Sequence, residues 1–347
     1  MSQKTYRVVQ WATGTVGKVA LKHYIENPAI ELVGVLVTNP EKVGKDAGDL
    51  VGLPATGVLA TDDVDAILAL EADCVHFAPM LQDIDMVCRL LRSGKNVVSM
   101  IGPFYPTEHN RETVAKIEAA CQDGGTSFHG TGIHPGYIGD IVPLTLTRLM
   151  DRIDCIQVWE IADKRISPSV YIEAMGFGQD PEVLRSRPNV MAGAMETFGE
   201  SIAMVIEGLG KQIDNLTEQH HLAIATKDIS YPGGVIPKGT VAGQNWEWTA
   251  WVEGKPLAIY HLCYRVGDDM APDWNLGPSR HRIVLQGNPN LEMTLEASED
   301  AEGQRPFLGI IWTALLGTTA MPQVCDAAPG IVTHLDLGVV LPRGLVR

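Results

Sequence analysis

The chain has 347 residues, 45% hydrophobic and 20% charged, near globular averages, which excludes wholesale disorder and favours two domains over one. Lys+Arg 27 against Asp+Glu 42 leaves a net charge of −15 that repels a polyanion, and no basic stripe offsets it, so no nucleic-acid partner is expected. The apolar runs fall short of the ~20 residues a membrane helix needs, and the start MSQKTYR has no secretory apolar segment, so a cytoplasmic protein without a membrane partner is expected.

Residues 6–12 (YRVVQWA) read as a buried strand, followed by a Gly-rich turn and a helix over 16–27. Further strands are predicted over 31–37 (ELVGVLV), 73–77 (DCVHF) and 96–100 (NVVSM), with the helical pattern 83–93 (DIDMVCRLLRS) between the last two. A helix over 108–123 leads to a short strand over 126–129. Strand–helix alternation of this kind implies crossover units and a parallel sheet. After 135 the texture changes. A helix over 139–150, a long strand over 153–161 and a helix near 191–209 precede strands over 222–226, 241–252, 257–266, 282–286 and 291–297. The segment 252–256 (VEGKP) reads as a hairpin turn, so the second sheet is expected to be largely antiparallel. A last helix over 308–320 precedes a Pro/Gly-rich tail. The fold class is therefore α/β, with a Rossmann-like parallel-sheet domain over 1–135, an α+β domain over 136–315 and a tail over 316–347. The six cysteines (Cys74, Cys88, Cys121, Cys155, Cys263, Cys325) are scattered without a C-x-x-C pair, which agrees with reduced thiols.

Ala12-Thr13-Gly14-Thr15-Val16-Gly17 follows the first strand and opens the first helix. It is the dinucleotide fingerprint with Ala in place of the first Gly. Gly14 lets backbone approach a pyrophosphate, Gly17 lets helix pack close to strand, and the helix N-terminus offers free N–H groups to the anion. A bland tight turn is the competing reading, and the strand–turn–helix–strand context favours the cofactor. The second strand of an NAD site ends in a carboxylate for the ribose 2′-hydroxyl. Here that position falls at Thr38-Asn39, with Lys42 and Lys45 just beyond, so NADP is favoured and NAD is the alternative. A polar turn with two solvated lysines is the plain reading of the same residues. Ala78-Pro79 ends the fourth strand, where such folds pass close to the cofactor ribose and nicotinamide.

At 129–143 the chain reads HGTGIHPGYIGDIVP. This resembles the Gly-x-Gly-x-Asn-Pro-Gly-Phe-x-x-Asp signature at the domain junction of the dihydrodipicolinate-reductase-like superfamily, in its 2,4-diaminopentanoate dehydrogenase and native amine dehydrogenase branch. Matches at 42–48 (KVGKDAG), 168–178 (PSVYIEAMGFG), 198–210 (FGESIAMVIEGLG) and 321–337 (MPQVCDAAPGIVTHLDL) follow the family order, so the resemblance covers nearly the whole chain. It implies a second domain whose sheet mediates homodimerisation, a tail that closes the active site, and a nicotinamide-dependent reaction at a C=N or C=O carbon of a small molecule bound between the domains. By the same resemblance Gly102, His134 and Pro135 join the cofactor contacts, and Phe104, Tyr137, Tyr171, Met175 and Phe177 line the substrate pocket.

Two departures stand out. Where the amine dehydrogenase branch carries Glu-Glu-Leu-x-Tyr-Pro, with a glutamate that activates ammonia or water, this chain has Ile101-Gly102-Pro103-Phe104-Tyr105-Pro106. The His-His-x-x-Lys segment of true dihydrodipicolinate reductases is missing as well. His134 stands where the signature has Asn, either as an acid or base or as a hydrogen-bonding replacement. Tyr105, in a strand-end loop, is a candidate proton donor or a substrate-wall aromatic. Glu160 is the nearest replacement carboxylate if it points inward, and a solvated strand residue if it does not. His220-His221 cannot chelate together, because adjacent strand residues face opposite ways, and no other spacing suggests a metal. Trp246 and Trp248 share one strand face as core or interface residues, or line an apolar pocket with Phe104 or Trp312. The leading expectation is an NAD(P)-dependent reductase of a C=N or C=O carbon in a small, mainly apolar substrate. The alternatives are an amine dehydrogenase with a relocated carboxylate, and a cofactor-binding protein that has lost catalysis.

Overall fold

The computed structural model describes residues 4–167, 169–186, 191, 193–299, 301 and 308–345, which leaves Pro168 of the matched 168–178 segment outside the described residues. Two compact units divide it: 1–137 together with 309–347, and 138–308.

The first unit opens with β1 (Tyr6–Trp11), buried nearly throughout as a central parallel strand requires. Helix α1 (Thr15–Glu26) buries Gly17, Ala20, Leu21 and Tyr24, the i, i+3, i+4, i+7 stripe of one helix face. Then come β2 (Ile30–Leu36), β3 (Ala60–Thr61), α2 (Val64–Ala69), β4 (Cys74–Phe77), α3 (Ile84–Arg92), β5 (Asn96–Ser99), α4 (Arg111–Gly124) and β6 (Ser127–Gly130). The Asp83 side chain caps α3 by accepting from Met86 N at 2.9 Å, and Gly125 ends α4 in the left-handed region. From β1 the chain winds out through β2 to β3, then restarts on the other side with β4. The carboxyl ends of β1 and β4 therefore form the topological switch point, where ligands of open α/β sheets bind.

The second unit begins with α5 (Ile141–Thr147), whose N-cap Asp140 accepts from Ile141 N at 2.8 Å and from Ser201 Oγ at 3.0 Å. Strand β7 (Arg152–Asp163), α6 (Ser169–Ala174), α7 (Pro181–Arg185) and α8 (Ala194–Gly208) follow. The remaining elements are β8 (Asn215–Ala225), β9 (Ile229–Tyr231), β10 (Gly234–Ile236), β11 (Val241–Val252), β12 (Lys255–Arg265), β13 (Met270–Ala271), β14 (Arg280–Asn288) and β15 (Leu291–Leu295). The 7-stranded sheet runs β13-β8-β11-β12-β7-β14-β15, antiparallel except for the β12–β7 pair. Glu253 (φ 52) and Gly254 (φ 75) make the predicted β11–β12 turn, the double positive φ of a type I′ hairpin. Strand β8 begins at Asn215, well before the expected 222, because its first half carries polar residues on both faces and shows no apolar alternation.

The chain returns to the first unit with α9 (Gly309–Cys325), β16 (Gly330–Ile331) and α10 (His334–Leu337). The division expected at 315 falls inside α9 and is corrected here. Ala314, Ala320, Met321 and Val324 pack with Tyr6, Val8, Cys74, Val98 and Met100, so the whole helix covers one face of the first sheet. That sheet is 7-stranded, in the order β16-β6-β5-β4-β1-β2-β3, with every pair parallel.

Candidate active site

The turn after β1 is built from close approaches. A Cβ at Gly17 would stand far inside contact distance of Ala12 O, so only glycine lets α1 start this near the strand. At Gly14, the N-cap, a Cβ would meet nothing within 4 Å, and no side chain caps the helix. The first turn of α1 holds no acidic residue. Its N–H groups thus face open space beside a helix dipole, the arrangement that receives an anion. Thr13 is buried, Thr15 is exposed and Val16 lies between.

Lys42 closes this turn from the β2 side. Asn39 Oδ1 accepts from Glu41 N at 2.9 Å and starts the short 3-10 turn over Pro40–Lys42; Thr38 is exposed. Lys42 Nζ then donates to Thr13 O at 2.8 Å and to Thr13 Oγ1 at 3.0 Å. Burial and the charges of Lys18 and Lys45 lower its pKa. Lys42 is therefore not a merely solvated lysine. Asp46 next door is consumed by its own loop, accepting from the amides of Gly48, Thr56 and Gly57 and from Thr56 Oγ1, which lowers its pKa. Lys18, on α1, has no counterpart in the sequence reading; its distance from 42 in the chain hides the approach.

The neighbouring strand ends carry the other expected residues. Ala78 N donates to Trp11 O at 3.1 Å, which ties the end of β4 to the end of β1, and Pro79 follows half-buried. After β5, Ser99 Oγ donates to Gly102 O at 2.9 Å and accepts from Ile101 N at 3.3 Å. Gly102 has φ +79, and a Cβ there would lie 3.0 Å from the Phe104 ring, while Ile101 packs against the apolar core. Phe104 is buried and Tyr105 half-buried, with Tyr105 O accepting from Asn110 Nδ2 at 2.8 Å. After β6, Thr131 N donates to Ser99 O at 3.0 Å. Ile133 N reaches Thr313 Oγ1 on α9 at 3.3 Å, and Thr131 Oγ1 pairs with His334 Nε2 on α10 at 3.1 Å. His134 is half-buried, Pro135 buried and Tyr137 37% exposed. Thr313 and His334 stand far from this loop in the chain: the packing of α9 on the sheet brings Thr313 to it, and the pairing of β16 with β6 brings His334.

In the second unit Glu160 points into the protein and is 6% exposed, so the reading as a solvated strand residue is corrected. Tyr264 Oη donates to Glu160 Oε1 at 2.7 Å, and His281 Nε2 lies 3.8 Å from Oε2. Lys164 Nζ stands 3.7 Å over the Tyr264 ring; burial lowers its pKa and Glu160 opposes the shift. Burial and Glu160 together push the Tyr264 phenol well above its usual range. On the same sheet face Trp246 meets Tyr264 edge-on at 6.2 Å and His220 stacks on Trp246 at 4.7 Å. His220 bonds Gln244 Oε1, whose Nε2 donates to Met175 O at 2.8 Å. Phe177 is buried, Met175 half-buried and Tyr171 54% exposed. Trp248 is fully buried against Phe198, a core residue. Among the described residues no cluster of His, Cys, Asp or Glu has metal-binding geometry.

The open helix start, the glycine contacts and the lysine cluster fit a nicotinamide dinucleotide. Residues 137–346 match the family model of the 2,4-diaminopentanoate dehydrogenase C-terminal domain, and 8–123 match that of the dihydrodipicolinate reductase N-terminus. An amine dehydrogenase of Streptomyces virginiae is 33% identical over 354 residues, 95% of either chain. A 2,4-diaminopentanoate dehydrogenase of Acetoanaerobium sticklandii is 24% identical over 357 residues, 98% of this chain and 95% of that one. The solved structure of an amine dehydrogenase from Mycobacterium smegmatis shares the fold, with a TM-score of 0.79 at 21% identity over 98% of both chains. The chain therefore belongs to the 2,4-diaminopentanoate dehydrogenase and amine dehydrogenase branch of the dihydrodipicolinate-reductase-like superfamily, and it is an NAD(P)-dependent oxidoreductase.

Proposed function

We propose that the protein is an NADP(H)-dependent reductase acting on a C=N or C=O carbon of a small, mainly apolar substrate. The observation that carries this reading is the loop after β5. Gly102 holds φ +79 with the Phe104 ring against its missing side chain, and Ile101 is committed to the core, so the loop is shaped around the absence of the branch's carboxylate. Without it, nothing at this position activates ammonia, and a preformed C=N or C=O is the substrate that needs no such step. A bound nicotinamide supplies the hydride. The Gly14 turn and the first amides of α1 hold the pyrophosphate, and Lys42 with Lys18 and Lys45 holds the ribose 2′-phosphate. Tyr105 or His134 delivers the proton to the nitrogen or oxygen as its negative charge develops.

A second reading has one observation in its favour. Glu160 is a buried carboxylate whose Tyr264 bond fixes one oxygen, the kind of group an amine dehydrogenase needs. The two readings separate by following NADPH oxidation with a cyclic imine and with ketones and aldehydes, with and without ammonium. Turnover of the preformed imine without ammonium is expected. Turnover that requires ammonium and disappears in Glu160→Gln would replace the first reading by the second.

A further inference from the structure

We propose that Gln10 is a positioning residue for the cofactor: its amide holds the phosphate turn in the conformation that a glycine at position 12 would otherwise permit. The proposal rests on reading the 12–17 turn as the pyrophosphate site. In the fingerprint the first glycine makes the tight turn. Here that residue is Ala12, and it keeps φ +69, a region that L side chains rarely enter. Something must hold it there. Gln10, two residues earlier in β1, has no exposed surface and sits among the apolar residues of a central strand; its Oε1 meets no partner among the described residues, so its amide nitrogen makes its hydrogen bonds. Both of its donor contacts go to the turn: Nε2 lies 3.2 Å from Trp11 O and 2.9 Å from Ala12 O. The same amide nitrogen fills the niche under α1, 3.1 Å from where a Cβ of Gly17 would stand. On the far side Ala12 N donates to Leu36 O at 2.9 Å. Residue 12 is thus held on both sides, its carbonyl by Gln10 and its N–H by β2. The carbonyl cannot rotate towards the phosphates, and the following N–H groups stay turned to the open side at Gly14.

The test is an epistasis experiment on the purified protein without cofactor, read by NADPH fluorescence titration and by thermal melting. Gln10→Met, close in shape but without the donor, is expected to weaken NADPH binding about tenfold, roughly 1.4 kcal/mol. Adding Ala12→Gly should restore most of that loss, with Ala12→Gly alone measured to close the cycle. Rescue by a glycine two residues away is not expected if Gln10 merely fills the core. Gln10→Met binding as tightly as the parent, or a double variant as weak as Gln10→Met, would overturn the proposal. If Gln10→Met does not fold, Gln10→Leu, also apolar and without the donor, is read in the same way. Gly14→Asp checks the site itself, because its side chain has room but puts a carboxylate where the phosphates would lie. Unchanged NADPH binding by Gly14→Asp would remove the site and the role of Gln10 together. Loss of binding there with none in Gln10→Met would remove the role alone.

Discussion

On the proposed function, Lys42 carries the choice between the two dinucleotides at the scale of one side chain. Its ammonium is already bonded to Thr13 and already crowded by Lys18 and Lys45, so an added phosphate relieves repulsion as well as forming ion pairs. Lys42→Ala should therefore raise KM for NADPH at least about tenfold and leave KM for NADH within about twofold, with little change in kcat. Equal losses for both cofactors would mean that Lys42 serves the pyrophosphate or the fold, and not the 2′-phosphate. Its place beside the turn was legible in the sequence, because a Rossmann second strand that ends without a carboxylate directs attention to the next cations. The nearby Lys18 was not. Glu160 was legible only as an alternative, because a period of two says which residues share a face and not which face is inward. Its neighbours Val158 and Trp159 are both apolar, so either face of β7 would serve as the inner one.

Helix α9 shows the same limit for an element. Its apolar length was plain from the sequence, yet the sequence reading stopped it at 320 and split it between domains, while the helix runs on through Pro322 to Cys325. A proline argues for a helix end on local grounds, and the sheet face beneath overrides it by burying Met321, Pro322 and Val324. The two-residue strand β16 has no pattern of its own and exists only as a partner of β6, so the return of the tail was expected from the resemblance alone. The contact that sets how close α9 lies is Gly317, where a Cβ would come within 2.7 Å of His76 Nε2 and also crowd Met100. Met100 can swing aside, but the imidazole sits on a buried strand and cannot. Gly317→Val should destabilise the protein by about 1–3 kcal/mol through overpacking, seen as a lower urea midpoint at unchanged m-value. An unchanged midpoint would show that α9 can lift off the sheet without cost.

The molecule as a whole should respond to acid through its buried imidazoles. Burial, with a smaller push from a neighbouring histidine, lowers His76 and His261 to a pKa of about 3, and burial lowers His334 to about 4. In the unfolded chain all three would titrate near 6.5. The folded pKa lies below the unfolded one, so below pH 6.5 the unfolded state binds protons that the folded state refuses. Stability is then fully present above about pH 6.5 and falls as the pH drops towards 4. With three such groups the slope approaches about 4 kcal/mol per pH unit, if the chain unfolds in one step. The carboxylates work against this between pH 6 and 5, because their protonation relieves a net charge of −15. The two effects separate by salt, which screens the net-charge repulsion and leaves buried imidazoles untouched. Melting temperatures at pH 8, 7, 6 and 5 in high salt should therefore be level at first and drop steeply below about 6.5. His76→Met, which replaces a buried imidazole beside Tyr24 by an apolar side chain, should make the drop shallower by roughly one proton's share. A melting temperature that stays level to pH 5 in the parent protein would show that these rings find partners when charged, and that the interior around His76 and His334 opens to water more easily than its packing indicates.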